Sequence, residues 1–90
     1  MLKEELKVVY GSVKSYYGKA YTVRKNSSIK LYSYETLVAE IRNGQFIYLW
    51  NRWSKTTARH VNEFLQQNGF APMSKNELIE NHFNYAYGCN

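Results

Sequence analysis

The sequence predicts an α+β domain in which a small antiparallel sheet of three or four strands packs against two C-terminal helices. Residues 20–50 alternate apolar and polar side chains as half-buried strands do, and the pair Asn43-Gly44 interrupts them as a hairpin turn would. Residues 54–83 then change to helical spacing. Because 90 residues leave room for one hydrophobic core, we expect a single domain spanning residues 1–90.

The strands are predicted from two turn signals. Strands 20–24 and 29–34 flank the turn cluster Asn26-Ser27-Ser28, and strands 36–42 and 45–50 flank Asn43-Gly44. A two-residue loop at Asn43-Gly44 fixes the register. It predicts the pairs Ile41–Phe46, Ala39–Tyr48 and Leu37–Trp50 on one face, and Val38–Leu49, Glu40–Ile47 and Arg42–Gln45 on the other.

The second face of this hairpin would be only partly covered. It carries Val38, Ile47 and Leu49, so we expect either a homodimer or cover by an N-terminal helix. Such a helix, ending at about Tyr10, is predicted because Leu2, Leu6 and Val9 recur at helical spacing around a Lys- and Glu-rich segment.

The C-terminal third carries explicit helix start and stop signals. Ser54 is a typical N-cap for a helix over 54–68, whose apolar arc comprises Ala58, Val61, Phe64 and Leu65 with Thr57 at its edge. Gly69 would end that helix, and Phe70 stands where a Schellman motif places its hydrophobic contact. Ser74 and Glu77 form a capping box for a last helix with an inner face of Leu78, Ile79, His82 and Phe83. The tail from Tyr85 is expected to be loose, although its tyrosines suggest docking.

Charge is distributed unevenly along the chain. The net charge is +5, and eleven of the twelve Lys and Arg but four of the seven Glu lie in residues 1–60, which leaves +7 there and −2 in residues 61–90. A basic first two-thirds suits a polyanionic partner, nucleic acid first. A lysine-rich solvated surface explains the same numbers equally well.

A cationic strip is expected around the start of the first C-terminal helix. Lys55 and Arg59 lie one turn apart on its outward face, and Arg52 lies just upstream. With Thr56 and the N-terminal amides of the helix, these cations have the chemistry to bind phosphates. The alternative is a solvated face on which Arg59 and Glu63 form an ordinary i,i+4 ion pair.

The two tryptophans are interpreted differently. Trp50 ends the apolar face of the hairpin and is predicted to be core. Trp53 lies beside Arg52 and Lys55, where it could stack on an unpaired base or enter a partner's pocket. It also stands at N′ before Ser54, and we favour the interpretation that it packs on Ala58 as a hydrophobic staple.

Catalytic, metal and cofactor sites are not expected. His60, Glu63 and His82 invite a metal interpretation, but the chain has no aspartate and one cysteine, Cys89, close to its end. It shows no nucleophile with an activating base and no phosphate-cradling glycine loop.

Strands 29–34 and 45–50 are rich in tyrosine, as are protein surfaces on which the bases of single-stranded nucleic acids stack, but β-propensity alone explains that composition. We therefore expect no enzyme, no cofactor and no small-molecule substrate.

The sequence also carries a motif. It runs Tyr-Ser-Tyr-x-Thr-x-Val-Ala from Tyr32, and after the hairpin Trp-Ser-x-Thr-Thr-x-x-His-x-x-x-Phe from Trp53. Over residues 29–70 it resembles small proteins encoded by bacteriophages and other mobile elements, gathered as a domain of unknown function. That resemblance implies an accessory protein that binds host machinery, such as the nucleases of defence systems.

We therefore expect the protein to act by binding a partner rather than by catalysis. The leading hypothesis is a phage-type accessory protein that associates with nucleic acid, or with a host protein that handles nucleic acid, through Arg52, Trp53, Lys55, Thr56 and Arg59. The alternatives are a host-takeover or anti-defence (anti-CRISPR-like) inhibitor that binds a host protein, and a virion or assembly component. The lone cysteine, and the lack of a signal peptide or membrane-spanning run, lead us to expect the cytoplasm of the bacterial host and no membrane partner.

Overall fold

The computed structural model describes residues 2–9 and 19–87. Within these ranges, five antiparallel strands lie side by side in chain order: β1 Leu2–Glu5, β2 Ala20–Lys25, β3 Ser28–Ser33, β4 Thr36–Arg42 and β5 Gln45–Tyr48. Two helices follow, α1 Lys55–Gln67 and α2 Lys75–Tyr87. The predicted α+β class is confirmed, with a sheet slightly larger than the three or four strands expected.

The N-terminal segment forms a strand rather than the predicted helix. Leu2 pairs with Arg24 and Glu5 with Tyr21, and the N–H of Leu6 donates to the carbonyl oxygen of Ala20 at 3.0 Å. A helix of about two turns is marginal on its own. Pairing with β2 satisfies the same backbone groups and buries Leu6 in the core. The predicted helix end at Tyr10 lies outside the described residues.

Two-residue turns join the central strands. Asn43 and Gly44 adopt positive φ angles of 52° and 79°, as their hairpin signal predicts. Between β3 and β4, Tyr34 and Glu35 also adopt positive φ angles, 51° and 66°. Neither residue type favours this conformation, so the turn is formed against local preference.

The predicted register of the β4–β5 hairpin is confirmed near its turn and wrong farther from it. Four of the predicted pairs are present: Ile41–Phe46, Ala39–Tyr48, Glu40–Ile47 and Arg42–Gln45. However, β5 ends at Tyr48, and Leu37 pairs with Tyr32 of β3. A register shift on β4 leaves Val38 unpaired with β3, and its carbonyl accepts from both Leu49 and Trp50. At this irregularity the pairing between β4 and β5 ends, so the predicted Leu37–Trp50 and Val38–Leu49 pairs are absent.

The two faces of the sheet have different surroundings. One face, here the covered face, packs against α1 and forms the core with Val61, Phe64 and Leu65 of that helix. Its strand residues include Ile29, Leu31, Ile41, Phe46 and Tyr48. The opposite face, here the open face, carries Tyr21, Val23, Lys30 and Tyr32 on its central strands, all partly exposed.

The ends of α1 form as predicted. Ser54 Oγ accepts from the N–H of Thr57 at 3.1 Å, and Gly69 follows the C-cap with a φ of +85°. The N–H of Gly69 donates to Gln66 and that of Phe70 to Leu65, which is the Schellman pattern. The apolar arc is rotated slightly from the prediction, because Thr57 is buried and Ala58 is only partly so.

Helix α2 lies along the free edge of β5. The capping box is confirmed, since Ser74 N donates to Glu77 Oε1 at 2.8 Å and Glu77 N to Ser74 Oγ at 3.3 Å. The predicted inner face is wrong in half of its members: Leu78 is buried and His82 half-buried, but Ile79 and Phe83 are exposed. A helix against a sheet edge touches it along a narrow line, so fewer side chains turn inward. The predicted loose tail is also wrong for residues 85–87, which are helical, and residues 88–90, with Cys89, lie outside the described part.

Candidate nucleic-acid interface

The loop before α1 holds the cationic strip in place. The hydroxyl of Tyr48 donates to the carbonyl oxygen of Arg52 at 2.8 Å, and the Ser54 cap fixes the first turn of the helix. Burial raises the pKa of that hydroxyl to about 12, so it keeps its proton and remains a donor. Arg52, the predicted upstream member of the strip, is exposed beside this anchor.

The remaining polar members of the strip lie on the outward side of α1. Lys55, Thr56 and Arg59 are exposed, whereas the neighbouring Thr57 and His60 are buried against the sheet. Four residues of α-helix rise about 6 Å, so Lys55 and Arg59 are one turn apart on the same side. The structure therefore brings Arg52, Lys55, Thr56 and Arg59 to one end of α1, as the spacing predicts.

Glu63 does not accompany the strip. Its side chain is 2% exposed, and its Oε2 accepts from the N–H of Val9 at 2.9 Å and from Gln67 Nε2 at 2.7 Å. The alternative in which Arg59 and Glu63 form an ion pair on a solvated face is thus not what the structure shows. Within residues 2–9 and 19–87, the ion pair that forms joins Arg42 to Glu40 at 2.8 Å and involves no strip residue.

Trp53 contributes to the packing of the core more than to the cationic strip. It stands at N′ before the Ser54 cap, where a hydrophobic staple is expected, and its partly buried ring packs against the core. The ammonium group of Lys75 lies 5.0 Å from the ring centroid, over the ring. An unpaired base would have to displace Lys75 to stack there. Trp50 also packs against the core, although it remains partly buried rather than enclosed.

His60 lies in the protein interior, whereas His82 is only half-buried. His60 is fully buried, and its Nδ1 lies 2.8 Å from Ser33 Oγ, which in turn is 3.2 Å from Thr57 Oγ1. Burial lowers the pKa of His60, and the nearby positive charge of Lys19 lowers it further. Among the described residues, no three His, Cys, Asp or Glu side chains come close enough together to hold a metal ion.

Helix α2 carries an exposed apolar stripe that the sequence pattern does not predict. Ile79, Phe83 and Tyr87 recur every four residues on one side of the helix and are 45%, 51% and 70% exposed. The Phe83 and Tyr87 rings lie 4.7 Å apart between centroids. The sequence pattern predicts Ile79 and Phe83 on the inner face and Tyr87 in the tail, because inner and outer apolar faces look alike in a sequence pattern.

The comparisons with known proteins assign the chain to a family without assigning an activity. A family model described as a family of unknown function (DUF8033) matches residues 4–80. The chain belongs to this family. The match extends beyond the residues 29–70 of the motif, at both ends. No curated protein and no solved structure matches the chain.

In this DUF8033 protein, the family match covers the whole cationic strip and the whole of α1. It ends within α2, so Ile79 lies inside the matched region and Phe83 and Tyr87 lie beyond it. The helices in the described part of the DUF8033 chain are too short and too polar to cross a bilayer.

Proposed function

We propose that this chain is a non-enzymatic accessory protein of phage type that associates with nucleic acid in the bacterial cytoplasm. The observation that carries the proposal is the strip of Arg52, Lys55 and Arg59, three exposed cations at one end of α1. Glu63, one helical turn after Arg59, is buried and binds Val9 and Gln67.

Two further features support phosphate binding at this strip. The Ser54 cap occupies the N–H of Thr57, while the other first-turn amides and the positive end of the helix dipole add to the field of the cations. Thr56 provides an exposed hydroxyl beside Lys55. Cations and hydroxyls of this kind contact phosphate oxygens without reading sequence, so the expected binding has little base specificity.

A direct test compares the wild type with a Lys55→Ala/Arg59→Ala variant. Both side chains are exposed and outside the core, so the double variant should fold normally, as circular dichroism would show. Fluorescence anisotropy with labelled DNA and RNA should show weaker binding for the variant. Equal affinity of the two proteins would overturn the proposal, and so would wild-type binding no better than micromolar at low salt.

A second candidate is a host-protein inhibitor of the anti-defence kind, favoured by the α2 stripe of Ile79, Phe83 and Tyr87. Contiguous exposed aromatic side chains are typical of protein interfaces, where tyrosine and phenylalanine are enriched. Pull-down from nuclease-treated host lysate should then retain a stoichiometric protein that a Phe83→Ser/Tyr87→Ser variant loses. Retention of the same protein by the wild type and this variant would exclude the stripe as the binding surface.

A further inference from the structure

The open face of the sheet, on the side away from α1, presents three rows of side chains. The pairing register places Glu5, Tyr21, Tyr32 and Leu37 in one row across β1 to β4. The adjacent row is Lys3, Val23, Lys30, Glu40 and Ile47, and the third is Lys25, Ser28, Arg42 and Gln45. Residues directly opposite one another share a face, so these three rows form one surface.

This surface is positively charged. It carries Lys3, Lys25, Lys30 and Arg42 against Glu5 and Glu40. The Glu40 carboxylate is internally satisfied, since it accepts from Arg42 Nη2 at 2.8 Å and from Ser28 Oγ at 2.5 Å. Lys30 lies directly opposite Glu40, and Lys3 and Lys25 lie on β1 and β2 of the same face. None of these three lysines forms an ion pair within the described part of the chain.

Two aromatic rings stand among these lysines. Tyr21 and Tyr32 are stacked, with centroids 5.0 Å apart and an interplanar angle of 8°. Lys3 Nζ lies 4.3 Å from the centroid of Tyr21, so that ring lies between a cation and Tyr32. Tyr32 also borders a shallow depression of about 420 Å³, whose lining includes Val23, Lys25, Lys30, Arg42 and the Glu40 carboxylate that Arg42 neutralises. An aromatic ring and several cations thus converge on one concave site.

The shape of the surface selects the kind of polyanion. Five strands about 4.8 Å apart span roughly 19 Å, which is wider than the major groove of about 12 Å. A sheet face therefore cannot enter a duplex groove as a helix does. Single strands instead lie across sheets, with bases stacked on aromatic rings and phosphates beside cations.

We propose that the open face binds single-stranded nucleic acid, with a base against Tyr32 in the depression and phosphates beside Lys25 and Lys30. Arg42 is held by Glu40 and shapes the depression. This surface is distinct from the α1 strip, so a negative result for one surface does not contradict the proposal for the other.

The test uses a labelled short oligothymidylate, which has bases to stack but little structure of its own, and fluorescence anisotropy. Tyr32→Leu keeps an apolar side chain without a ring, and it should weaken binding by roughly tenfold or more. Tyr32→Phe keeps the ring and should retain affinity. The salt dependence of binding is measured as the slope of log K against log salt concentration. In Lys25→Gln/Lys30→Gln the magnitude of this slope should fall by about 0.7 for each phosphate that the variant no longer neutralises. Thermal melts would show that each variant is folded.

Several outcomes would overturn this inference. Tyr32→Leu binding as tightly as the wild type would do so, as would a preference for duplex or equal competition by polyglutamate. If Tyr32→Leu does not fold, the unchanged salt dependence of Lys25→Gln/Lys30→Gln alone would overturn it. Loss of oligothymidylate binding only in Lys55→Ala/Arg59→Ala would contradict this proposal and support the α1 strip.

Discussion

The side chain of Asn81 binds the free edge of β5 at Tyr48. Asn81 Oδ1 accepts from the N–H of Tyr48 at 2.6 Å, and its Nδ2 donates to the carbonyl oxygen of Phe46 at 3.3 Å. The Nδ1 of His82 lies 2.9 Å from the carbonyl oxygen of Tyr48. One helical turn thus supplies the hydrogen bonds that a sixth strand would make, and it protects an edge that could otherwise pair with another chain.

Replacing Asn81 with alanine should destabilise the protein. The N–H of Tyr48 and the carbonyl of Phe46 would lose their partner in a partly buried position, for which we expect a loss of about 1–3 kcal/mol in the free energy of unfolding. Urea unfolding measures this directly. Asn84→Ala on an exposed position of the same helix is the matched control and should change stability little. Equal stabilities of the two variants would mean that the edge contact contributes nothing.

The turn between β3 and β4 offers a stabilising substitution. Glu35 adopts a φ of 66°, a conformation that glycine adopts without steric cost, so Glu35→Gly should raise the free energy of unfolding by roughly 0.5–1 kcal/mol. Gly44→Ala is the reverse experiment. A Cβ at Gly44 would meet nothing within 4 Å, so its φ of +79° alone should make alanine destabilising by about 1 kcal/mol. A less stable Glu35→Gly protein would contradict the left-handed assignment at Glu35.

Stability should fall on mild acidification because of His60. Burial lowers the pKa of His60 below its ordinary value of 6.5. In the range between the lowered folded pKa and 6.5, the unfolded chain binds a proton that the folded chain does not. The free energy of unfolding is therefore at its full value above pH 6.5, the ordinary pKa of histidine. It decreases as the pH falls from 6.5 toward the pKa of His60 in the folded protein, with a slope of up to about 1.4 kcal/mol per pH unit.

The measurement for His60 is the free energy of unfolding by urea between neutral and mildly acidic pH, in the wild type and in His60→Gln. The variant should be less stable at neutral pH, because Ser33 loses its ring partner. It should also lack most of the pH dependence over this range. The same slope in both proteins would show that another group titrates.

Local signals predicted the parts of this fold that local chemistry controls. The Ser54 cap, the end of α1 at Gly69 and the turn at Asn43-Gly44 each follow from one or two residues with a strong conformational preference. The helical periodicity of α1 predicts the outward positions of Lys55 and Arg59. All of these features depend on neighbours within a few positions of the chain.

Features that depend on distant partners escaped prediction. The segment around Leu6 has helical propensity but pairs with β2, which begins at Ala20. Glu63 was expected on the surface with Arg59 and instead binds Val9, 54 residues away. The Tyr21–Tyr32 stack could have been found from the two-residue turn at Asn26-Ser27, since that register sets the rings opposite each other.

The central claim, that the α1 strip binds nucleic acid phosphates, is tested most directly by the salt dependence of duplex DNA binding. Three phosphate contacts by Arg52, Lys55 and Arg59 predict a slope of log K against log salt of about −2.7. Lys55→Gln should reduce its magnitude by about 0.9, whereas Lys7→Gln, which removes an exposed lysine outside the strip, should leave it unchanged. Identical slopes for the wild type and Lys55→Gln, or equal reductions in Lys55→Gln and Lys7→Gln, would contradict the claim.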